Sequence, residues 1–264
     1  MIKNIKLFVS PKALENGKIV RKKFINCGFN VVDDDKFDLA VAIGGDGSFL
    51  KMVKANNFNS DIYYVGINSG HLGFLQEVKL EELDLFINEL HHHKYRVDQV
   101  DVQETTINHR DGLSMFNSFN EIEIRDSHLK TAFLDVKVNK DFLEHFVGDG
   151  LCIATSMGST GHNLSLGGSI VPPNFSTLQI APMGAISTTA YRSLSNSFIV
   201  PASQEIMISP SGDHKDLLVT IDGENNWYHN VSDIVTGIKD KKIKCLRFSH
   251  YNYPQKIYEK LLSK

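Results

Sequence analysis

Apolar positions change rhythm along this chain. In the first third they form short continuous runs separated by stretches of helical spacing. Ile5-Lys6-Leu7-Phe8-Val9 reads as a strand, and Leu39-Ala40-Val41-Ala42-Ile43 is unbroken, as in a strand buried on both faces. Ile62-Tyr63-Tyr64-Val65-Gly66-Ile67-Asn68 is a third such strand. Between the first two, Ser10-Pro11 supplies a helix start, Ala13, Leu14, Val20, Phe24 and Ile25 keep roughly helical spacing, and Gly28 closes the helix. Leu80, Leu83, Phe86, Ile87 and Leu90 mark a second amphipathic helix. Strands alternating with helices predict a parallel sheet with right-handed crossovers.

The period drops toward two after about Lys94. Tyr95-Arg96-Val97-Asp98-Gln99-Val100-Asp101-Val102 and Ala132-Phe133-Leu134-Asp135-Val136-Lys137-Val138 both alternate. Turn signals at Asp111-Gly112 and Asn139-Lys140-Asp141 separate such runs. The pattern predicts an α/β N-terminal domain with a parallel sheet (residues 1–95) and a β-rich, sandwich-like C-terminal domain (residues 96–250). Residues 251–264 read as a C-terminal helix, with Ile257, Tyr258, Leu261 and Leu262 apolar, returning to the first domain.

Composition adds exclusions. The 264 residues carry a formal net charge of -3, which favours neither nucleic acid nor an anionic membrane surface as partner. No apolar run approaches bilayer-spanning length, and the start lacks the pattern of a secretory leader. Cys27, Cys152 and Cys245 are far apart with no Cys-x-x-Cys pair, which predicts reduced thiols and a cytoplasmic protein. Asp33-Asp34-Asp35 reads as a solvated loop. In His91-His92-His93 successive side chains point about 100° apart on a helix, so the three cannot share one metal without unwinding.

The chemistry concentrates in two glycine-rich stretches. The buried run at 39–43 feeds Gly44-Gly45-Asp46-Gly47-Ser48, where Ser48 has the look of a helix N-cap. A strand, a glycine turn and a helix N-terminus make a phosphate cradle. A carboxylate there would repel phosphate unless it abstracts a proton or helps hold a metal, which singles out Asp46. Asn68-Ser69-Gly70 ends the next strand in the same way, and ligands of such sheets lie beyond the carboxyl ends of the strands. The second stretch runs from Gly148-Asp149-Gly150 to Gly167-Gly168, dense in glycine and hydroxyls. Such groups bind ribose, amide or phosphate, and they also fill ordinary loops.

In order along nearly the whole chain, these segments resemble the NAD kinases, which phosphorylate NAD to NADP. The resemblance rests on Gly44-Gly45-Asp46-Gly47, Asn68-Ser69-Gly70-His71-Leu72-Gly73-Phe74-Leu75, Asn120-Glu121, Gly148-Asp149-Gly150 and Gly158-Ser159-Thr160. It implies the fold already read, with the site between the two domains. It implies that Asp46 takes the proton of the adenosine-ribose 2′-hydroxyl during attack on the γ-phosphorus of ATP. Gly45, Gly47 and their backbone would hold phosphates, with Phe74 beside them. Asn120, Glu121 and Asp149 would bind NAD, and Thr160, Gly161, His162, Asn163, Leu164 and Ser165 would line the dinucleotide pocket. Asp222 falls in the late strand region where the family places another ligand contact. Mg²⁺ would arrive with ATP, other divalent cations being able to serve, and no protein side chain is expected as a metal ligand. A homodimer or homotetramer is implied. No Gly-x-x-x-x-Gly-Lys-Ser/Thr motif is present, so the chain is not a P-loop kinase.

Several positions depart from the family pattern: Thr155-Ser156-Met157-Gly158-Ser159-Thr160-Gly161-His162 stands where the family usually reads Thr-Pro-Thr-Gly-Ser-Thr-Ala-Tyr, and Val147 departs as well. His162 stands where the family usually carries tyrosine, offering a smaller stacking surface and a group that titrates near neutral pH. Val147 stands where many members carry a basic residue before Gly-Asp-Gly. Both bear on affinity for NAD and on the choice between NAD and NADH. The altered segment near His162 is the one feature in favour of an alternative, a protein that senses NAD or NADP without transfer. Asp46 argues against that alternative. A relative that phosphorylates a lipid or sugar is the third reading, against which Asn120-Glu121 and the long second segment speak.

Overall fold

A computed structural model describes residues 2–70, 73–212 and 214–263. The chain forms two compact units, residues 1–100 with 242–264 and residues 101–241. Its expected motif residues His71 and Leu72 lie outside the described residues.

The first unit holds β1 (Asn4–Val9), α1 (Leu14–Asn26), β2 (Asn30–Val31), β3 (Leu39–Gly44), α2 (Asp46–Ala55), β4 (Tyr63–Asn68), β5 (Val78–Lys79) and α3 (Leu83–His91). Strand β1 pairs in parallel with β2 and β3, and β3 with β4, so Val41 faces Val65 in register and Ile43 faces Ile67. Every residue of β3 is buried, which explains its continuous apolar run. The core gathers Ile5, Val20, Phe24, Leu39, Val41, Ile43, Val65, Ile67, Leu83, Phe86 and Leu246 from sheet and helices. Ser10 Oγ accepts from the Lys12 N–H at 3.4 Å ahead of a 3₁₀ turn at Pro11–Ala13. Gly28 ends α1 with φ +84°. The acidic triplet is exposed, with Asp33 paired to Arg21 and Asp35 to Lys6 at the surface. The last histidine of α3, His91, stacks on Phe29 with centroids 4.7 Å apart.

Strand β6 (Tyr95–His109) leads into the second unit. There follow β7 (Gly112–Ser118), β8 (Glu121–Asp126), β9 (Ala132–Val138), β10 (Asp141–Gly148), β11 (Gly150–Thr155), α4 (His162–Ser165), β12 (Thr177–Met183), β13 (Phe198–Pro201), β14 (Ile206–Pro210), β15 (Leu217–Ile221) and β16 (Glu224–Tyr228). Strand β17 (Asp233–Phe248) then carries the chain back to the first unit, where α5 (Tyr253–Ile257) and a π-helical turn (Tyr258–Leu262) end it. One antiparallel sheet of the second unit has the order β13-β12-β11-β8-β15-β16. Strands β9, β10 and β14 form another antiparallel layer. Between the layers, Ile122, Ile124, Leu134, Val136, Phe146, Leu151, Ile153, Ile206, Ile208 and Val219 interdigitate as one core, the interior of a sandwich. Among the described residues no helix is long and apolar enough to cross a membrane.

Candidate active site

In the first unit the site is built on the β3–α2 junction. Gly45 is the N-cap of α2, extended at φ -99° and ψ -174°. Ser48, expected as the cap, lies inside the helix and makes no cap bond. A glycine cap with the acidic Asp46 as first helical residue already suits the positive N-terminus. Asp46 is half-buried. Its Oδ2 accepts from the Phe74 N–H at 2.8 Å and its Oδ1 from the Leu75 N–H at 3.0 Å. These two donors fix the direction of the carboxylate and leave lone pairs free for a further partner. The contact explains Gly73: a Cβ there would lie 1.9 Å from Asp46 Oδ1. Beside the turn is a cavity of about 690 Å³, lined by Ser10, Lys12, Gly45, Gly47, Ser48 and Lys51 among others. Its size suits a small-molecule ligand, and the helix N-terminus and two lysines suit an anion.

A buried network missed by sequence reasoning supports this turn. Gln76 Nε2 donates to the Gly45 carbonyl at 2.8 Å. The Gln76 carbonyl in turn accepts from Lys256 Nζ at 2.9 Å, and Lys256 also reaches Glu77 Oε2 at 3.3 Å. Arg247 joins Glu77 to Asp98 through contacts of 3.4 and 3.2 Å. Burial, with the Arg247 charge second, pushes the Lys256 ammonium down to about 8. No local pattern signals this network, because its members come from five distant stretches of chain.

In the second unit, Asn120 and Glu121 sit at the start of β8. Asp222 and Gly223 turn the β15–β16 hairpin with φ +45° and +85°, as a two-residue turn of this hand requires. The Asp222 carboxylate accepts from the N–H groups of Phe119 and Asn120, both at 2.7 Å, and of Glu121 at 3.2 Å. It therefore grips the Asn-Glu backbone. Glu121 is 8% exposed, and its Oε2 has no hydrogen-bond partner; nor has Asn120 Oδ1. Burial first, then the carboxylates of Asp222 and Glu123, push the Glu121 carboxyl up to about 8. At neutral pH it is largely protonated and offers a donor as well as acceptors.

The glycine-rich second stretch is ordered throughout: the fully buried β11, a 3₁₀ turn at Met157–Thr160, and α4. Thr155 ties it to the Asn-Glu turn, its N–H on the Asn120 carbonyl at 2.8 Å and its Oγ1 on the Phe119 carbonyl at 2.7 Å. Gly161 lies against Glu121 Oε2, with a built Cβ at 3.0 Å. His162 Nδ1 hydrogen-bonds Glu123 Oε1, and Glu123 Oε2 pairs with Arg125 at 3.2 Å. Asn163 is buried and donates to the Ser159 carbonyl at 3.1 Å. Thr160 and Leu164 are half-buried, while Ser165 and Asp149 are exposed. Val147 is buried in β10, its N–H bonded to Ser193 Oγ at 2.8 Å. The predicted residues thus form two groups: Gly45, Asp46, Gly47 and Phe74 in the first unit, and Asn120, Glu121, Asp149, the 160–165 segment and Asp222 in the second.

Comparison with known proteins decides the family. The ATP-NAD kinase N-terminal domain matches residues 8–95 and the ATP-NAD kinase C-terminal domain residues 120–244. An NAD kinase of Finegoldia magna is 34% identical, covering 98% of this chain and 97% of that protein. The chain belongs to the NAD kinase family. NAD kinase 2 of Halalkalibacterium halodurans is 30% identical over 89% of this chain and 88% of its own. The fold agrees with that of yeast NADH kinase solved with NADH, at TM-score 0.87 and 20% identity, covering 100% of this chain and 90% of that one. It also agrees with an Archaeoglobus fulgidus NAD kinase solved with ATP, at TM-score 0.74 and 18% identity, covering 97% and 99%.

Proposed function

We propose that this member of the NAD kinase family transfers the γ-phosphoryl group of ATP to the 2′-hydroxyl of the adenosine ribose of NAD, giving NADP and ADP. The observation that carries the reading is the Asp46 carboxylate, held by the Phe74 and Leu75 N–H groups at a helix N-terminus.

In this reading Asp46 accepts the 2′-hydroxyl proton as the ribose oxygen bonds to the γ-phosphorus. The bond from that phosphorus to the β–γ bridging oxygen breaks, and ADP leaves with the electron pair. The backbone at Gly45 and Gly47 receives phosphate oxygens. Mg²⁺ would enter as part of the donor and would offset the charge of its phosphates. That role asks for no resident cage of protein side chains.

Asn120 and Glu121 bind NAD through its adenosine end. Their unpaired buried oxygens, Asn120 Oδ1 and Glu121 Oε2, support this assignment, since buried polar atoms are seldom left unbonded. Thr160, Gly161, His162 and the rest of the segment to Ser165 line the dinucleotide pocket, with Asp149 accepting from an amide or amino group. Asp222 supports the Asn-Glu backbone. The enzyme works in the cytoplasm, where its free thiols Cys27, Cys152 and Cys245 stay reduced. It assembles as a homodimer or homotetramer; the edge strands β13 and β16 present exposed Phe198, Ile199 and Trp227 for such pairing.

Incubation of the protein with Mg-ATP and NAD, followed by an assay for NADP, tests the reading. Accumulation of NADP is expected. NAD binding with no turnover would replace the kinase with a sensor.

A further inference from the structure

Three consecutive residues of the first unit aim the Asp46 carboxylate. Phe74 and Leu75 give their N–H groups to its two oxygens, and Gln76 Nε2 holds the carbonyl of the preceding residue, Gly45, at 2.8 Å. A peptide unit is planar, so fixing the Gly45 carbonyl also fixes the direction of the Asp46 N–H. Gln76 is fully buried and reaches Gly45 across Gly66 of β4, where a Cβ would lie 2.2 Å from Gln76 Oε1.

The end of the chain fastens residues 74–77 in turn. Lys256 of α5 is buried, and its Nζ donates to the Gln76 carbonyl at 2.9 Å and to Glu77 Oε2 at 3.3 Å. Glu77 Oε2 also meets Arg247 at 3.4 Å, and Glu77 Oε1 accepts from the Phe248 N–H at 3.0 Å. Ion pairing alone needs only the Glu77 carboxylate. The bond to the Gln76 carbonyl is different, because it grips the backbone of the residue that holds Gly45. Two hydrogen bonds, Lys256 to Gln76 and Gln76 to Gly45, thus join the last segment of the chain to the residue before the base. A shift of about 1 Å at a reacting group costs on the order of a hundred-fold in rate, so such a link bears on turnover.

We propose that Lys256 is a positioning residue for phosphoryl transfer: by its hold on Gln76 it keeps the Gly45–Asp46 peptide, and with it the Asp46 carboxylate, in the orientation from which the ribose proton is taken. The proposal rests on the kinase reading above. Lys256 acts through Gln76 and keeps its bonds unchanged through the reaction. A merely structural Lys256 would steady the C-terminal segment against Glu77 and leave turnover by the folded enzyme as it is.

The test uses the full chain with Lys256→Met, Lys256→Arg, Gln76→Leu and the double variant of Lys256→Met with Gln76→Leu. At saturating Mg-ATP and NAD, kcat per folded enzyme should fall about ten-fold to a hundred-fold in Lys256→Met, with NAD affinity by calorimetry within about two-fold of the parent's. Lys256→Arg keeps a donor for the Gln76 carbonyl and should recover part of the loss. Both single variants break one path, so the double variant should lose little more than the worse of them. Amide hydrogen exchange at Phe74 and Leu75 should quicken about ten-fold in Lys256→Met, while that of β3 stays at the parental rate. An unchanged kcat in folded Lys256→Met overturns the proposal, as do losses that multiply in the double variant. If Lys256→Met does not fold, Lys256→Gln, too short to reach both partners, takes its place with the same expectations. If the parent makes no NADP, the kinase reading fails by itself. Amide exchange then still decides on Lys256: faster exchange at Phe74 and Leu75 supports its hold on the turn, and unchanged exchange removes it.

Discussion

Asp222 Oδ1 accepts the Asn120 N–H at 2.7 Å, so a hairpin turn late in the chain sets the backbone from which the Asn-Glu pair projects. The same carboxylate holds the N–H groups on either side of Asn120. Replacing Asp222 with Ala leaves three backbone donors without this acceptor. Each such loss costs about 1–3 kcal/mol, partly recovered by water. We expect Asp222→Ala to lower stability by about 2–4 kcal/mol in denaturant unfolding and NAD affinity by about ten-fold. Affinity equal to the parent's would show that the Asn120 backbone holds its place unaided.

Glu121 predicts a pH dependence of stability. Its folded-state value, about 8, lies above its ordinary 4.5, so the folded chain binds this proton more tightly than the unfolded chain. Its stabilising contribution is complete below about 4.5 and is lost as the pH rises through about 8. Glu121→Gln cannot titrate. Its melting temperature should therefore fall less than the parent's between about pH 5 and pH 8.5. Parallel curves would mean that the carboxyl is ionised in the folded protein.

Gly73 predicts a separation of binding from catalysis. A methyl group there meets Asp46 Oδ1 at 1.9 Å, and the carboxylate must turn away from the Phe74 and Leu75 N–H groups. Gly73→Ala should lose turnover by about a hundred-fold or more while NAD affinity stays within a few-fold. Equal losses in both would point to a collapse of the fold around the turn.

His162 predicts tolerance. Its ring is held by Glu123, which keeps Arg125 as a second partner when the imidazole is removed. His162→Tyr should bind NAD at least as tightly as the parent in calorimetry, because a phenol ring offers more stacking surface. A large loss would mean that the imidazole makes a specific contact of its own.

Much of this was legible in the sequence because hydrophobic period follows burial. The run at 39–43 is buried on both faces, so its strand and the glycine turn after it could be read directly. The alternation at 132–138 matches β9, and the helical spacing of Leu83, Phe86, Ile87 and Leu90 matches the buried face of α3. Ser48 was misleading because caps are chosen by backbone geometry, which Gly45 satisfied three residues earlier than the helix pattern suggested. The pairing of His162 with Glu123 could not be seen, since it depends on α4 packing beside β8. The burial of Lys256 was also invisible. It looks like an ordinary charge on a terminal amphipathic helix until the chain returns to the first unit.

Asp46→Asn tests the central claim most directly. The amide keeps the size of the side chain but cannot take a proton from the ribose hydroxyl. NADP formation should fall by about 10²–10⁴-fold or more, with NAD affinity by calorimetry within a few-fold of the parent's. Turnover retained near the parental rate would contradict the assignment of Asp46 as the base.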